Sequence, residues 1–341
     1  MHPVATVALT NLLRETRLPC AAIHHDILSE GAYKFTPTCN FAKSILDEYF
    51  PPTMPNLRHW TINSRNQRAL KKKAIQAKVI HDTMDFDQKL DAAEHARIRT
   101  VLRGKHGIKP NDIVLFVGAR IVPNKQTELT GHLTAILQGL RQEMVGRKLY
   151  HGEVFSKESR LVLVLAGRPE HAFADYRERL FRLLDALGIT WMYVGNEVRP
   201  IRREEEGYYA LYPDMHTMAD LVLYPTGWEG FGNQLLEAFA AGLPVVVFEY
   251  PVFKEDVATK GVKVVSLGDT ILEERDSAGL VQLPLEVLTR AAHEIIAILT
   301  TPEVYRSITA HNIILGKKYF SFDVLRTHLG EAIDWARVFS A

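Results

Sequence analysis

The sequence predicts an α/β fold with two domains, each built around a parallel sheet. Its 341 residues are enough to bury two modest hydrophobic cores. From residue 112 onward, short apolar runs alternate with helical patterns, which is typical of a parallel sheet with helices on both faces. A glycine-rich turn at 226–232 joins one such run to a helical pattern. We therefore expect one complete doubly wound domain after a smaller α/β domain.

The first domain is expected to hold fewer strands than the second. Apolar runs favour strands at 20–24, 59–62 and 78–80. The basic cluster at 65–73 is predicted to be the solvated face of a helix, with Asn63 or Ser64 as its N-cap. The alternative reading, nucleic-acid binding, lacks the interleaved aromatic residues that stack on bases. The charged segment 81–109 is expected to contain the connection between the domains.

The second domain shows the regular alternation of a doubly wound sheet. Strands are predicted at 113–117, 161–166, 191–194, 221–224, 245–248 and 262–265. Helices are predicted at 129–144, 171–187 and 232–241. The chain is thus expected to form a first domain over 1–110, a second over 111–312, and a helical tail over 313–341 that packs back towards the first domain.

Composition restricts the kinds of partner. Apolar residues make up 47% and charged residues 24%, the balance of a folded globular protein. The formal net charge of +1 gives no general attraction to nucleic acid or to anionic membranes, so any bound anion must be held locally. No apolar run approaches the roughly 20 residues that cross a bilayer. Cys20 and Cys39 offer no disulfide framework and no metal-site spacing, and with no apparent signal peptide they indicate a cytoplasmic protein.

The strongest chemical signal is the glycine-rich turn and the helical pattern after it. Segment 226–244 reads TGWEGFGNQLLEAFAAGLP and follows a predicted strand. Backbone N–H groups and the positive end of a helix point outward from such a turn and can hold a phosphate. Gly230 and Gly232 let the backbone approach a ligand closely.

The same segment carries two glutamates, Glu229 and Glu237, eight positions apart. Carboxylates orient carbohydrates by accepting hydrogen bonds from sugar or ribose hydroxyls. The alternative reading of an isolated pair is that Glu229 caps the turn and Glu237 lies on a solvated helix face.

This segment resembles the E-x7-E motif, with its EGFG turn, of retaining glycosyltransferases of family 4 and similar enzymes. The resemblance implies a GT-B architecture of two Rossmann-like domains, here with a truncated N-terminal domain. It also implies that Glu229 contacts hydroxyls of the donor sugar and that Glu237 contacts the ribose. The amides after Glu229 would bind the sugar and the diphosphate; the residues concerned are Gly230, Phe231, Gly232, Asn233 and Leu235.

A second segment, FVGARIVPNK at 116–125, is similar to the strand-end motif of the same family. The resemblance implies that Gly118, Arg120 and Lys125 bind the donor, the two cations by neutralising its diphosphate. The leaving diphosphate gains negative charge as the glycosidic bond breaks, so fixed cations stabilise the transition state more than the ground state. Taken alone, an arginine and a lysine are more often solvated surface residues.

A third segment, His24-His25-Asp26, follows the first predicted strand. The family has a histidine there that faces the donor across the interdomain cleft, and His25 is the better match. The alternative is a polar cap on the strand end. A zinc site is disfavoured, because no HExxH motif or third ligand accompanies the pair. Short segments elsewhere, at 51–52, 59–64, 85–87 and 249–252, resemble mannosylglucosylglycerate synthases and related transferases.

These resemblances imply a retaining transferase that moves a hexose, with mannose as first choice, from a nucleoside diphosphate sugar to a hydroxyl acceptor. No cofactor is expected to be required, and assistance by Mg²⁺ at the diphosphate stays open. One alternative is a nucleotide-sugar-binding protein without transferase activity, because its acceptor domain is incomplete. A phosphorylase or an epimerase on a related fold is another. A homo-oligomer, or a partner that completes the first domain, also stays open.

Overall fold

The computed structural model describes residues 3–27 and 37–340. The chain forms two compact units. The first combines Met1–Thr83 with Phe320–Ala341, and the second is Met84–Tyr319. These units divide the chain at other positions than the domain boundaries expected near residues 110 and 312, and those boundaries stay a prediction.

The first unit contains a sheet of three parallel strands in the order β1-β2-β3. The strands are β1 (Cys20–His24), β2 (Leu57–Thr61) and β3 (Ala77–Val79). The helices are α1 (Pro3–Thr16), α2 (Asn40–Tyr49), α3 (Ser64–Lys72) and the C-terminal helix Phe322–Ser340. The three expected strands and the basic helix are confirmed, and Asn63 is the N-cap, since its side chain accepts a hydrogen bond from the Asn66 N–H.

The second unit contains a six-stranded parallel sheet in the order β11-β10-β9-β4-β5-β6. Its strands are β4 (Ile113–Val117), β5 (Leu161–Leu165), β6 (Thr190–Tyr193), β9 (Leu221–Tyr224), β10 (Val245–Val247) and β11 (Val265–Ser266). A separate pair is formed by β7 (Val198–Arg199) and β8 (Tyr209–Ala210). The helices are α4 (Ala92–Lys105), α5 (Glu128–Gly139), α6 (Ala174–Ala186), α7 (Asn233–Ala240), α8 (Leu285–Leu299) and α9 (Pro302–Phe320).

Burial on both faces explains why the central strands could be recognised as apolar runs. Every residue of β4 and β5 is buried, as expected for parallel strands covered by helices on both faces. The last strand, expected at 262–265, is observed at Val265–Ser266. The Asn312 side chain donates to the Lys263 carbonyl (2.7 Å) and accepts from its N–H (2.8 Å), so these backbone groups are not available to a neighbouring strand.

The order of the strands reverses between β4 and β9. These two strands pair directly, although β4 is followed in sequence by β5 on its other side. In doubly wound sheets the loops that leave the carboxyl ends of strands at such a switch point diverge and leave a crevice for a ligand. The fold therefore predicts a ligand crevice between the loops after Val117 and after Tyr224.

A buried carboxylate fastens α4 to this sheet. Asp220 is 0% exposed, and it accepts hydrogen bonds from the Val114 N–H (2.7 Å) and the Tyr150 hydroxyl (2.8 Å). Two arginines of α4 reach the same carboxylate, Arg99 at 2.6 Å and Arg103 at 3.1 Å. Burial alone would raise the pKa of Asp220, but the two arginines hold it below its usual value. Helix α4 thus belongs to the second unit.

Within residues 3–27 and 37–340, none of the helices combines the length and the apolar character that a membrane-spanning segment needs.

We expect Asp220→Asn to lower the free energy of unfolding by about 3–5 kcal/mol, because it leaves two arginines with no compensating buried charge. Chemical denaturation would measure the loss. The control is Asp175→Asn, which removes an exposed i,i+4 partner of Arg179 and should cost less than about 1 kcal/mol. Equal effects of the two substitutions would contradict the role of Asp220.

Candidate functional site

The loops after β4 and β9 contact each other at the carboxyl edge of the sheet. The Gly227 N–H donates to the Asn124 carbonyl (2.9 Å), and the Asn124 side chain donates to the Trp228 carbonyl (3.3 Å). The Gln234 side chain, in the first turn of α7, donates to the Gly118 carbonyl (2.7 Å). Segments separated by about a hundred residues in sequence thus form one surface, because their strands are neighbours.

Lys125 and Glu229 meet on this surface. Lys125 is only 5% exposed, and its Nζ contacts Oε1 of Glu229. The same oxygen accepts a hydrogen bond from the Tyr224 hydroxyl (2.6 Å). Two residues singled out by separate motifs are therefore directly paired, and a tyrosine at the end of β9 completes the cluster.

A chain of hydrogen bonds on the buried side stabilises the turn that carries Lys125. The Thr127 N–H donates to the Tyr176 hydroxyl (3.1 Å), which donates to Oε2 of Glu128 (2.5 Å). Oε1 of Glu128 accepts from the Val281 N–H (3.1 Å). Gln126, directly after Lys125, adopts a left-handed conformation with φ 49°, which costs a non-glycine residue free energy and marks a turn fixed by its surroundings.

The glycine-rich turn depends on Gly232. Its φ of 122° is rarely adopted by other residues, and a Cβ there would lie 2.2 Å from the Tyr250 hydroxyl. That hydroxyl donates to the Phe231 carbonyl (2.6 Å). Helix α7 begins directly afterwards, and its N-terminus has no capping side chain. The Leu235 N–H donates to the Gly232 carbonyl (3.0 Å), and its role towards a donor stays a prediction.

 Glu237 lies one turn into α7 and lines an open cavity of ≈ 430 Å³, together with Arg168, Val198 and Leu211. Oε2 of Glu237 is shielded from solvent and has no hydrogen-bond partner among the described residues. Burial raises the pKa of Glu237 to about 7. A shielded oxygen without a donor is a group that a ligand hydroxyl can satisfy.

Arg120 and His25 are the two remaining candidate residues. Arg120 is exposed and pairs with Glu170. His25 belongs to the first unit, where it is exposed, with its Nδ1 3.8 Å from Oδ1 of Asp82. His24 pairs with His59 at 2.9 Å, and burial, with His59 close by, lowers the pKa of His24 to about 4. The roles of His25 and Arg120 towards a donor stay predictions.

Several residues of the site were not predicted from the sequence. They are Asn124, Glu128, Tyr176, Tyr224, Gln234 and Tyr250. All but Tyr224 act through a contact with a residue distant in sequence, so their residue types alone give no signal. The nearest to a signal is the position of Tyr224, the last residue before the turn. Within the part of the chain that the structure describes, no group of three His, Cys, Asp or Glu residues is arranged to hold a metal ion.

The fold is that of GT-B glycosyltransferases, as predicted. The chain resembles Anabaena Alr3699/HepE, solved in complex with UDP and glucose, with a TM-score of 0.63 and 18% identity over 98% of this chain and 76% of that one. It also resembles the sucrose-phosphate synthase of Thermosynechococcus elongatus, with a TM-score of 0.63 and 13% identity over 99% and 72% of the two chains. At these identities the likeness shows the fold alone.

Sequence comparison identifies the family. Residues 98–266 match the family described as Glycosyl transferases group 1. The mannosylglucosylglycerate synthase of Thermotoga maritima is 35% identical over 314 residues, which are 92% of this chain and 69% of that protein. The enzyme of the same name from Petrotoga mobilis is 32% identical over 326 residues, 95% and 74% of the two chains. The chain belongs to the group 1 glycosyltransferases, and the resemblance found in its motifs is confirmed.

We expect Glu237→Gln to stabilise the ligand-free protein at pH 8 but much less at pH 5. Because the pKa of folded Glu237 is raised from 4.5 to about 7, the stability that this group contributes is present below pH 4.5 and is lost as the pH rises through 7. Glutamine does not titrate, so the gain should grow by about 2–3 kcal/mol between pH 5 and pH 8.

Urea denaturation at the two pH values would measure this difference. The exposed Glu178 of α6 supplies the control, since Glu178→Gln should change stability equally at both. A Glu237→Gln protein that is no more stable at pH 8 would show that the carboxylate is not buried without a partner.

Proposed function

We propose that this glycosyltransferase moves a hexose from a nucleoside diphosphate sugar to a hydroxyl acceptor, with retention of the anomeric configuration. The pairing of Lys125 with Glu229 at the switch point carries the proposal, because it unites a cation for a diphosphate and an acceptor for sugar hydroxyls. The name of both relatives, mannosylglucosylglycerate synthase, supports mannose as the hexose. GDP-mannose is accordingly the first donor to test.

Each part of the donor has a candidate contact. Lys125 would bind the diphosphate, Glu229 the hydroxyls of the sugar and Glu237 those of the ribose. The uncapped N-terminus of α7 and the turn before it would add backbone donors to the diphosphate, from Gly230, Phe231, Gly232 and Asn233. The shielded Oε2 of Glu237 supports the ribose contact, because a pair of hydroxyls would supply the donors that it lacks.

Donor binding requires Lys125 to redirect its ammonium group. In the ligand-free protein that group contacts Glu229. A diphosphate carries more negative charge than this single carboxylate and would therefore attract the ammonium group more strongly. As the glycosidic bond breaks, the leaving diphosphate becomes more negative, so the lysine stabilises the transition state more than the ground state. Arg120 would be a second cation, since its contact with the half-exposed Glu170 costs little to break.

The acceptor proton would pass to the leaving diphosphate itself. The acceptor hydroxyl attacks on the face from which the diphosphate departs, which preserves the anomeric configuration. The new glycosidic bond forms as the bond to the diphosphate oxygen breaks, and that oxygen takes the proton. No protein nucleophile is needed, and a Mg²⁺ ion would assist only by screening the diphosphate.

Thermal unfolding with GDP, UDP, ADP and their common hexose conjugates tests the donor site. A ligand that binds only the folded state at about 100 times its Kd adds about 2.7 kcal/mol, which raises Tm by about 5–10 °C for a domain of this size. We expect one nucleotide series to stand out, and both Glu237→Ala and Lys125→Ala to abolish the shift. No shift with any of these compounds would overturn the proposal.

Turnover of Lys125→Ala tests the catalytic role. We expect kcat to fall by about 10²–10³, because the leaving group loses its fixed cation. Product formation from the preferred conjugate and a panel of hydroxyl acceptors would be followed by release of the nucleoside diphosphate. The exposed Lys157 supplies the control variant, Lys157→Ala. Near-normal turnover of Lys125→Ala would exclude this role, and donor binding by the unaltered protein without any turnover would favour a binding protein instead.

A further inference from the structure

The turn that carries Glu229 is folded around two buried tyrosines. Tyr224 is 1% exposed and Tyr250 is 0% exposed. Their rings meet edge to face, with centroids 6.1 Å apart. Buried phenol hydroxyls need hydrogen-bond partners, and both of these find them in the turn between Glu229 and Gly232.

Tyr224 controls one oxygen of Glu229. Its hydroxyl donates to Oε1 at 2.6 Å, the oxygen that Lys125 also contacts. No hydrogen bond joins the other oxygen, Oε2, to any described residue, so that oxygen is available to a sugar hydroxyl. Burial, together with Glu229, raises the pKa of Tyr224 well above its usual value. The phenol therefore keeps its proton and stays a donor throughout the neutral range.

Tyr250 controls the main chain of the same turn. Its hydroxyl donates to the Phe231 carbonyl at 2.6 Å. A Cβ on Gly232 would lie 2.2 Å from the Tyr250 hydroxyl and 3.4 Å from that of Tyr224. The main chain from Phe231 into α7 therefore packs directly against the two tyrosine hydroxyls.

We propose that Tyr224 and Tyr250 are positioning residues for transfer: Tyr224 orients the Glu229 carboxylate towards the donor sugar, and Tyr250 shapes the turn that surrounds the donor diphosphate. This inference rests on the proposed function. When a diphosphate draws the Lys125 ammonium away, Tyr224 is the donor that remains on Oε1. Glu229 then keeps its orientation in the step where the sugar needs it most.

A double-mutant cycle separates this role from a merely structural one. We expect Tyr224→Phe to lower kcat/KM about 10- to 100-fold when Glu229 is present, because a hydrogen bond to a charged group is lost. In a Glu229→Ala background the same change should cost less than about twofold, because its partner is gone. The probe is the hexose conjugate that gives the largest thermal shift, for which GDP-mannose is expected.

The two tyrosines should differ in how they affect binding of the free nucleoside diphosphate. Tyr224→Phe should leave the thermal shift produced by GDP unchanged, since Glu229 contacts only the sugar. Tyr250→Phe should reduce the shifts with GDP and with GDP-mannose alike, since the turn that it shapes contacts the diphosphate. If another nucleotide series is preferred, the same comparison uses that nucleoside diphosphate and its hexose conjugate.

Tyr305→Phe provides the matched control. Tyr305 is another buried tyrosine, whose hydroxyl donates to the Asp220 carbonyl at 3.3 Å. Asp220 lies at the start of β9, whereas the turn follows the end of that strand. Its variant should show full activity whatever its Tm. Turnover of Tyr224→Phe within about twofold of the unaltered protein, or an equal loss in the Glu229→Ala background, would overturn the proposal for Tyr224. An unaltered protein that binds none of the compounds would instead overturn the proposed function, and this inference with it.

Discussion

The carboxylate of Asp220 determines how the second unit is assembled. It is 0% exposed and accepts hydrogen bonds from the backbone of β4 and from two arginines of α4. A buried charge of this kind tolerates few alternatives, since any arrangement that removes a partner leaves an uncompensated ion. By joining the start of β9 to β4, Asp220 helps to fix the one pairing on which the switch point depends. The loops that form the candidate site are neighbours for that reason.

At the carboxyl edge of the sheet, the segments that follow β4 and β5 lie in close contact. A Cβ on Gly167, just beyond β5, would lie 1.6 Å from the Ala119 carbonyl. The chain that leaves β4 therefore passes in close contact with the segment after β5, where the Ile121 N–H donates to the Arg168 carbonyl (3.1 Å). Lys125 is buried at the end of this path, where it contacts Glu229. Backbone contacts between neighbouring loops thus help to bring the cation to the carboxylate.

The sequence predicted the parts of the protein whose physical cause is local. Strands β4 and β9 were found at their observed limits because they are buried on both faces, and Glu229 and Glu237 were found because their spacing belongs to a known motif. Helix α4 lies in a segment that the sequence predicts only as a connection between the domains. Its attachment depends on Asp220, which is 121 residues from Arg99. Tyr224 and Tyr250 look like ordinary strand and loop residues in the sequence. Their importance lies in which oxygen each hydroxyl meets, and that depends on the folded chain.

Because the pKa of Glu237 is raised, donor binding at the proposed site would be coupled to the release of a proton from this residue. Ribose hydroxyls donate hydrogen bonds, so they bind the ionised carboxylate, whereas burial raises the pKa of the free group to about 7. Near neutrality about half of the ligand-free molecules would have to give up a proton before this contact could form. The observed enthalpy of binding would then depend on the ionisation enthalpy of the buffer. Acidification below pH 7 would protonate this carboxylate and so lower the affinity for the donor.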